Sequence, residues 1–499
     1  MEHKSLKGYP LIVSYLGLFS TLIGIIILIP ISVTIFYTHE SNQIKHFLFP
    51  GLILVLLGLI SKLIFKGYEK ERLERHHDAI LVVALWILAI FAAAIPFILT
   101  GQYNLPQAVF ETSSGFSTTG LTVVDVTQTS KTFLFYRSIL QFVGGVGLVL
   151  VLTATIADKF GMRMYNAEGH GDKLVPNLIR SGRYILLIYI GYVTLGTILY
   201  TIFGMPLFDA INHSICAVAT GGFSTQADSI GHYQSLPIEI VTIFLMLAGG
   251  TNFFVHLLII TGKFKSAISH IETKFFYIIA IIAITISTLS LLNYYNNDLF
   301  NAFHIAIFHF ISAMTGTGYQ IIDNFQVLPS FFFSMLIIGM ILGAGVGSTC
   351  GGIKQYRVGL GIKSLYWNFA NKIAHKNRIK KHFVNKLGHK TLVEDHDISE
   401  NNSFILLYLV FLMFGTLIFS LFSGNTMQNS LFEFASVLGT VGLSVGITGY
   451  HASSAILWTS SLAMFLGRLE FYVFFIAISK LVTDSHKSFQ RKISHKRAR

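Results

Sequence analysis

Charge is scarce in this sequence: Asp, Glu, Lys and Arg make up 12% of its 499 residues, against 53% hydrophobic. A soluble domain carries roughly a quarter of its residues charged, so a bilayer must replace water as solvent over much of the chain. Cysteine is scarcer still. Cys216 and Cys350 are the only two, and they lie in apolar stretches far apart in sequence, which excludes a disulfide framework and a thiolate metal site. No G-x-x-x-x-G-K-[ST] loop occurs, and no G-x-G-x-x-G follows a soluble strand, so the chain carries no nucleotide site of its own. The missing H-E-x-x-H spacing argues against a membrane metalloprotease, and no enzyme activity is expected.

Long apolar runs fill the sequence, near 11–37, 47–66, 79–99, 132–158, 183–203, 236–262, 275–293, 328–362, 403–422 and 454–482. About 20 such residues span a bilayer's hydrocarbon core, so ten crossings are expected, the first an anchor rather than a removable signal. Basic residues set the orientation. With the amino terminus inside, the inner segments 1–10, 62–78, 159–183, 263–274, 354–400 and 480–499 hold 32 of the 36 Lys and Arg residues. The net charge of +12 is thus mostly topology, and its dispersal over six segments excludes a nucleic-acid-binding domain.

The outer connections after spans 3, 5, 7 and 9 each carry an apolar segment too short to cross, read as a re-entrant helix. Start signals precede each: Asn104 and Pro106, Pro206, Asn297 and Asp298, and Asn425. Four stretches then align without gaps: Ser113 to Thr122, Ile215 to Ser224, Ile311 to Gln320, and Ala435 to Ser444. Their common glycines are Gly120, Gly222, Gly318 and Gly442, with Ser114, Cys216, Ser312 and Ser436 six residues before. A cation leaving water needs replacement oxygens, and a non-helical run of carbonyls supplies them. Glycine permits the necessary φ > 0.

The expected filter is therefore Thr118, Thr119 and Gly120; Thr220, Gly221 and Gly222; Thr315, Gly316, Thr317 and Gly318; and Thr440, Val441 and Gly442. Hydroxyls of Thr118, Thr220 and Thr440 are expected to add oxygens, while Leu121, Phe223, Tyr319 and Leu443 wedge the ring open. Close helix packing through small residues is the alternative explanation. The re-entrant helices end at the filter, where their carboxyl-end dipoles favour a cation. Glu111, His213, His309 and Glu433, nine residues before the glycines, are expected to bond backbone behind the filter rather than a metal.

About 25 residues past each filter glycine the next span contains glycine: Gly144 to Gly147, Gly249-Gly250, Gly343 to Gly347, and Gly467. The third copy continues through Ser348, Thr349, Cys350, Gly351 and Gly352, breaking its span where irregular backbone is tolerated only inside protein or beside a watery cavity. A gate loop is expected there, formed by Gly343, Gly345, Gly347, Ser348, Thr349, Gly351 and Gly352; a static helix break is the alternative. Arg468 is expected near mid-span, bonded to gate-loop carbonyls or paired with a distant carboxylate. Arg137 is expected to brace a re-entrant helix or snorkel.

These four filter stretches, the Gly249 to Asn252 run, Gly347 to Lys354, and Gly467-Arg468-Leu469-Glu470 together resemble the Trk/Ktr/HKT superfamily of K⁺ transporters. Two extra amino-terminal spans and the Gly-Arg-Leu-Glu motif point to its TrkH-type branch. The resemblance covers residues 1–485. It implies an all-α polytopic membrane protein with four membrane-pore-membrane repeats around a pseudo-fourfold pore. It implies K⁺ as transported ligand without a cofactor on this chain, a homodimer in lipid, a TrkA-like cytosolic nucleotide-binding ring, and a bacterial inner membrane with both termini cytoplasmic. In that superfamily a serine at the first filter glycine goes with Na⁺ transport; Gly120 here implies K⁺.

The expected divisions are 1–78 for the extra spans, 79–182, 183–274, 275–402 and 403–484 for the repeats, and 485–499 for a basic tail. Cys350 stands where glycine is expected, and the basic, His-rich segment 363–402 departs from the pattern. A Na⁺-permeable relative shares all these features. An ion-coupled secondary transporter with broken helices would instead show inverted repeats.

Overall fold

The structure, a computed structural model, describes residues 8–65, 76–147, 178–373 and 381–497. The basic connections at 66–75 and 159–177, and the second half of the span expected at 132–158, lie outside the described residues.

Apolar composition without period-2 alternation dictates helix, and nearly all regular structure among the described residues is helical. Tyr9–Phe36, Thr38–Ile64, His77–Leu99, Gly182–Ile202, Ile271–Leu292 and Asp395–Ser423 are long and apolar enough to cross a bilayer. After the first two, the chain runs through long helix, short helix, extended segment and second helix four times. The short helices are Leu105–Phe116, Leu207–Val218, Leu299–Thr315 and Met427–Leu438. Their starts follow the side-chain capping rule. Asn104 Oδ1 accepts from Gln107 N at 3.0 Å, and Asp298 Oδ1 accepts from Phe300 N at 3.0 Å. In the fourth copy the cap is Thr426, whose hydroxyl accepts from Asn429 N, rather than Asn425.

Second helices depart from the unbroken spans expected at 236–262 and 454–482. Leu236–Gly250 and Phe253–Ile260 meet at 105° because Asn252 caps a new helix, its side chain accepting from Phe254 N at 2.9 Å. Ser330–Leu342 and Gln355–Ile373 are separated by the glycine-rich loop 343–354. Ser454–Leu469 stops at Glu470, whose φ of 61° cannot continue a helix.

The described residues within 1–108, 147–183 and 469–499 form one compact unit, and those within 109–146 and 184–468 another. In the first, small residues let Tyr9–Leu28 lie directly against Ile44–Ile64. A Cβ at Gly24 would stand 2.7 Å from Gly51 O, and one at Gly58 1.9 Å from Thr21 Oγ1. His77–Leu99 packs against Phe471–Arg497 and buries Trp86 completely. In the second unit, the segment after Ile373 holds an unexpected hairpin, His382–Lys386 paired antiparallel with His389–Val393. Its two-residue turn, Leu387-Gly388, has φ of 53° and 86°, as the twist of a tight hairpin demands. Val384 and Val393 bury against Ile271 and Leu360, with Trp367 stacked on His382.

Gly24→Leu should lower the thermal stability of the detergent-solubilised protein by about 2 kcal/mol, the usual cost of overpacking. Gly191→Leu, at a helical glycine with nothing within 4 Å, should leave it unchanged. Equal losses in both would contradict backbone contact as the reason for Gly24.

Candidate functional site

The four glycine segments meet in the second unit and share one backbone conformation. Two residues before each common glycine, Thr118, Thr220, Gly316 and Thr440 have φ of 56°, 49°, 69° and 51°. Gly120, Gly222, Gly318 and Gly442 themselves have φ of 92°, 69°, 80° and 102°. The left-handed region costs an L-residue such as threonine about 1–2 kcal/mol, so its recurrence in three repeats marks a common requirement. Exposure alternates in step. Residues flanking each glycine are buried, while the glycine and the polar residue two positions on (Thr122, Ser224, Gln320, Ser444) are partly open.

The glycines close a ring. A Cβ on Gly120 would stand 2.2 Å from Gly221 O, on Gly222 1.9 Å from Thr317 O, on Gly318 2.1 Å from Val441 O, and on Gly442 2.2 Å from Thr119 O. Each glycine Cα thus abuts the carbonyl of the next repeat, in the cyclic order one, two, three, four, one. No side chain fits at any of the four positions, because what it would strike is backbone.

Side chains of the short helices hold these segments from behind. Nine residues before the glycine, Glu111 accepts from Val123 N and Thr122 Oγ1, and Glu433 from Val445 N, Thr448 N and Ser444 Oγ. His213 bonds Ser224 Oγ, and His309 Nε2 accepts from Ile321 N. Six residues before, Ser114 and Ser436 accept the N–H of Gly120 and Gly442. Arg137, fully buried, braces two repeats at once. Its Nε donates to Glu111 at 2.7 Å, its Nη1 to Ser224 O at 3.2 Å, and its guanidinium lies 4.0 Å from the Phe223 ring. Tyr319 does more than wedge: its hydroxyl donates to His213 O and Phe223 O, tying the third repeat to the second.

The loop 343–354 brings every expected gate residue of the third repeat together. Gly343, Gly347 and Gly352 take φ of 66°, 73° and 79°, and a Cβ at Gly343 would stand 2.4 Å from Gly351 O. Gly345 N donates to Gly250 O, Gly347 O accepts from Phe253 N, and Ser348 Oγ donates to Gly345 O. The Cys350 sulfur accepts from Ala344 N and lies 3.2 Å from Ser348 Oγ, contacts that glycine could not make.

Thr349 is the hub. Its carbonyl accepts from Thr118 Oγ1 at 3.1 Å, and its hydroxyl bonds Thr220 Oγ1 at 2.8 Å and Gly249 O at 3.1 Å. The Thr220 hydroxyl is thereby committed to this loop, the Thr118 hydroxyl is shared between the loop and Ser117 O at 2.6 Å, and a Cβ at Gly351 would stand 2.4 Å from Thr440 Oγ1. Thr315 and Thr317 share a hydroxyl bond of 2.8 Å within the third segment, and Thr119 bonds Ser117. Arg468 sits near the end of its helix, beside the bend between Ser454–Leu469 and the helix that follows. It donates to the carbonyls of Thr349, Gly144 and Gly145, joining the loop to the first and fourth repeats.

Three polar residues at this site escaped sequence reasoning. Gln141 lies in an apolar helix with no motif around it, yet its amide contacts the second segment. Asn252 and Glu272 bond each other at 3.3 Å beside the loop, but they come from different helices. The Gly249-Gly250-Thr251-Asn252 run was the available signal for Asn252.

A family model described as TrkH, cation transport protein, matches residues 53–491. An uncharacterized cation transporter of Methanocaldococcus jannaschii is 30% identical over 94% of this chain and 94% of its own. The Trk system potassium uptake protein TrkG of Escherichia coli is 31% identical over 82% of this chain and 85% of its own. The crystal structure of the potassium transporter TrkH from Vibrio parahaemolyticus superposes with a TM-score of 0.82, covering 94% of this chain and 98% of that one at 24% identity, a likeness of fold. That fold is a polytopic membrane protein of four membrane-pore-membrane repeats. The chain belongs to the TrkH family of cation transport proteins.

Proposed function

We propose that this chain carries K⁺ into the cell through the ring of four glycine segments, with loop 343–354 and Arg468 as its gate. The closed cyclic contact of glycine Cα with neighbouring carbonyl is the observation that carries it. Such a ring fixes the spacing of backbone oxygens from four directions, the arrangement a dehydrated monovalent cation needs. The names of the Trk relatives supply the ion. Thr118 to Gly120, Thr220 to Gly222, Thr315 to Gly318 and Thr440 to Gly442 form the filter, and K⁺ is its substrate.

The gate assignment rests on position. Thr349 bonds the threonines that precede two filter glycines, and Arg468 places a cation against the same loop. A fixed positive charge there opposes a passing cation while the loop is in place. Regulation by a cytosolic nucleotide-binding ring, a homodimer, an inner-membrane location with both termini cytoplasmic, and the repeat divisions at 79, 183, 275 and 403 complete the reading. Positive-inside distribution and the naming of relatives as proteins of a Trk system support it.

Gly120→Ser should lower the K⁺ to Na⁺ uptake ratio of expressing cells, because its side chain must displace the Gly221 carbonyl. An unchanged ratio would exclude a filter at the glycine ring. Arg468→Ala should raise K⁺ flux roughly tenfold, since it removes charge-assisted bonds worth about 1.5–3 kcal/mol each from the closed loop. Flux unchanged by Arg468→Ala and by deletion of 345–351 would contradict the gate.

A further inference from the structure

The four repeats are unequal behind the ring, and the inequality centres on Gln141. Gly144, Gly249 and Gly467 are structural equivalents: a Cβ on them would stand 2.0 Å from Phe116 O, 2.4 Å from Val218 O and 2.1 Å from Leu438 O. Each of those carbonyls lies four residues before its filter glycine. Gly343 holds the same place in the third sequence repeat. Three residues before these glycines stand Gln141, Met246, Met340 and Met464, all fully buried. Two repeats thus place a thioether where the first places an amide, and the third carries Met340 at the matching sequence position.

That amide behaves as a strand partner for the second filter segment. Nε2 donates to Gly221 O at 2.5 Å, and Oε1 accepts from Phe223 N at 3.3 Å. A carbonyl can only accept and a backbone N–H only donate, so the amide's orientation is fixed. Its two bonds bracket Gly222, the left-handed residue between them. The same contact explains a sequence difference. At the position before the common glycine, the repeats carry Thr119, Gly221, Thr317 and Val441. A Cβ on Gly221 would stand 2.4 Å from Gln141 Cδ and 2.5 Å from its Oε1, so the repeat facing the amide has no room for a side chain.

Gly221 O is also the carbonyl that abuts Gly120. Among the described residues no hydrogen-bond donor reaches its counterparts Thr119 O, Thr317 O or Val441 O. One of the four ring carbonyls is therefore held by a side chain while three are not. A held carbonyl cannot swing to follow a smaller ion, and its field is partly spent on the amide.

We propose that Gln141 is a selectivity-determining positioning residue: by holding the Gly221 carbonyl and the Phe223 N–H it keeps the ring at the width suited to K⁺ and rejects the smaller Na⁺. The proposal rests on the filter assignment above, and the experiment separates the two. The full-length chain, reconstituted in liposomes, is assayed for its K⁺ to Na⁺ flux ratio, which is independent of how much protein inserts. Gln141→Met supplies the residue the other repeats use, at nearly constant volume. Gln141→Glu keeps the size but, when ionised, cannot donate to Gly221 O, and it serves if the methionine variant does not fold. Both should lower the ratio about fivefold, the worth of one buried hydrogen bond. Gly120→Ser is measured in parallel. A ratio held within about twofold in both Gln141 variants while Gly120→Ser lowers it would overturn the role of Gln141 alone. A ratio unmoved in all three would overturn the filter assignment and this inference with it.

Discussion

Four backbone contacts organise the molecule: the Cα of each common glycine against the carbonyl of the next repeat's segment. Because each contact is backbone on backbone, no rotamer change relieves a side chain placed there. The requirement propagates outward. Segments brought this close cannot be helical, so their amides need partners elsewhere, and Glu111, His309 and Glu433 meet that need from the short helices behind, while His213 bonds the Ser224 hydroxyl. Burying two carboxylates so deeply is costly unless each is fully engaged, and Arg137, the Val123 N–H and the Thr122 hydroxyl engage Glu111. The same arginine lies on Phe223 and reaches Ser224 O, so satisfying one repeat's carboxylate also fixes its neighbour's segment.

The ring is close to fourfold, while its surroundings are not. Among the described residues, the third repeat alone sends a loop against Thr118 and Thr220, through Thr349. The fourth alone contributes Arg468, and the first alone contributes Gln141. Repetition sets the geometry that a symmetric ligand, a bare cation, requires. Departures from it supply what symmetry cannot: a loop packed against two of the segments, a fixed charge and an anchored carbonyl. Cys350 belongs to these departures, since its sulfur accepts from Ala344 N within the loop's own turn.

Much of this was legible in the sequence because the determining residues recur at fixed spacing. Four gapless stretches revealed the segments, and Gly343 to Gly352 revealed the interrupted span. What stayed hidden depends on contacts between distant segments. Gln141 reads as one polar residue in an apolar helix, and only the Gly221 backbone, 80 residues on, gives it meaning. Apolar content predicted continuous spans at 236–262 and 454–482, but Asn252 as a cap and Glu470 in the left-handed region break them. The hairpin at 382–393 was hidden by its basic, His-rich composition. Its core is only Val384 and Val393, and the rest of the burial comes from Ile271 and Leu360 on two other helices.

In the proposed function, the ring formed by Gly120, Gly222, Gly318 and Gly442 is where the transported cation sheds its water. Anomalous diffraction from crystals of the chain grown in thallium(I) or rubidium tests this most directly, since both ions replace K⁺ and scatter strongly. Anomalous density enclosed by the four glycine segments, displaced when Na⁺ is substituted, is the expected result. Ordered ion density elsewhere in the chain, with none between those segments, would contradict it.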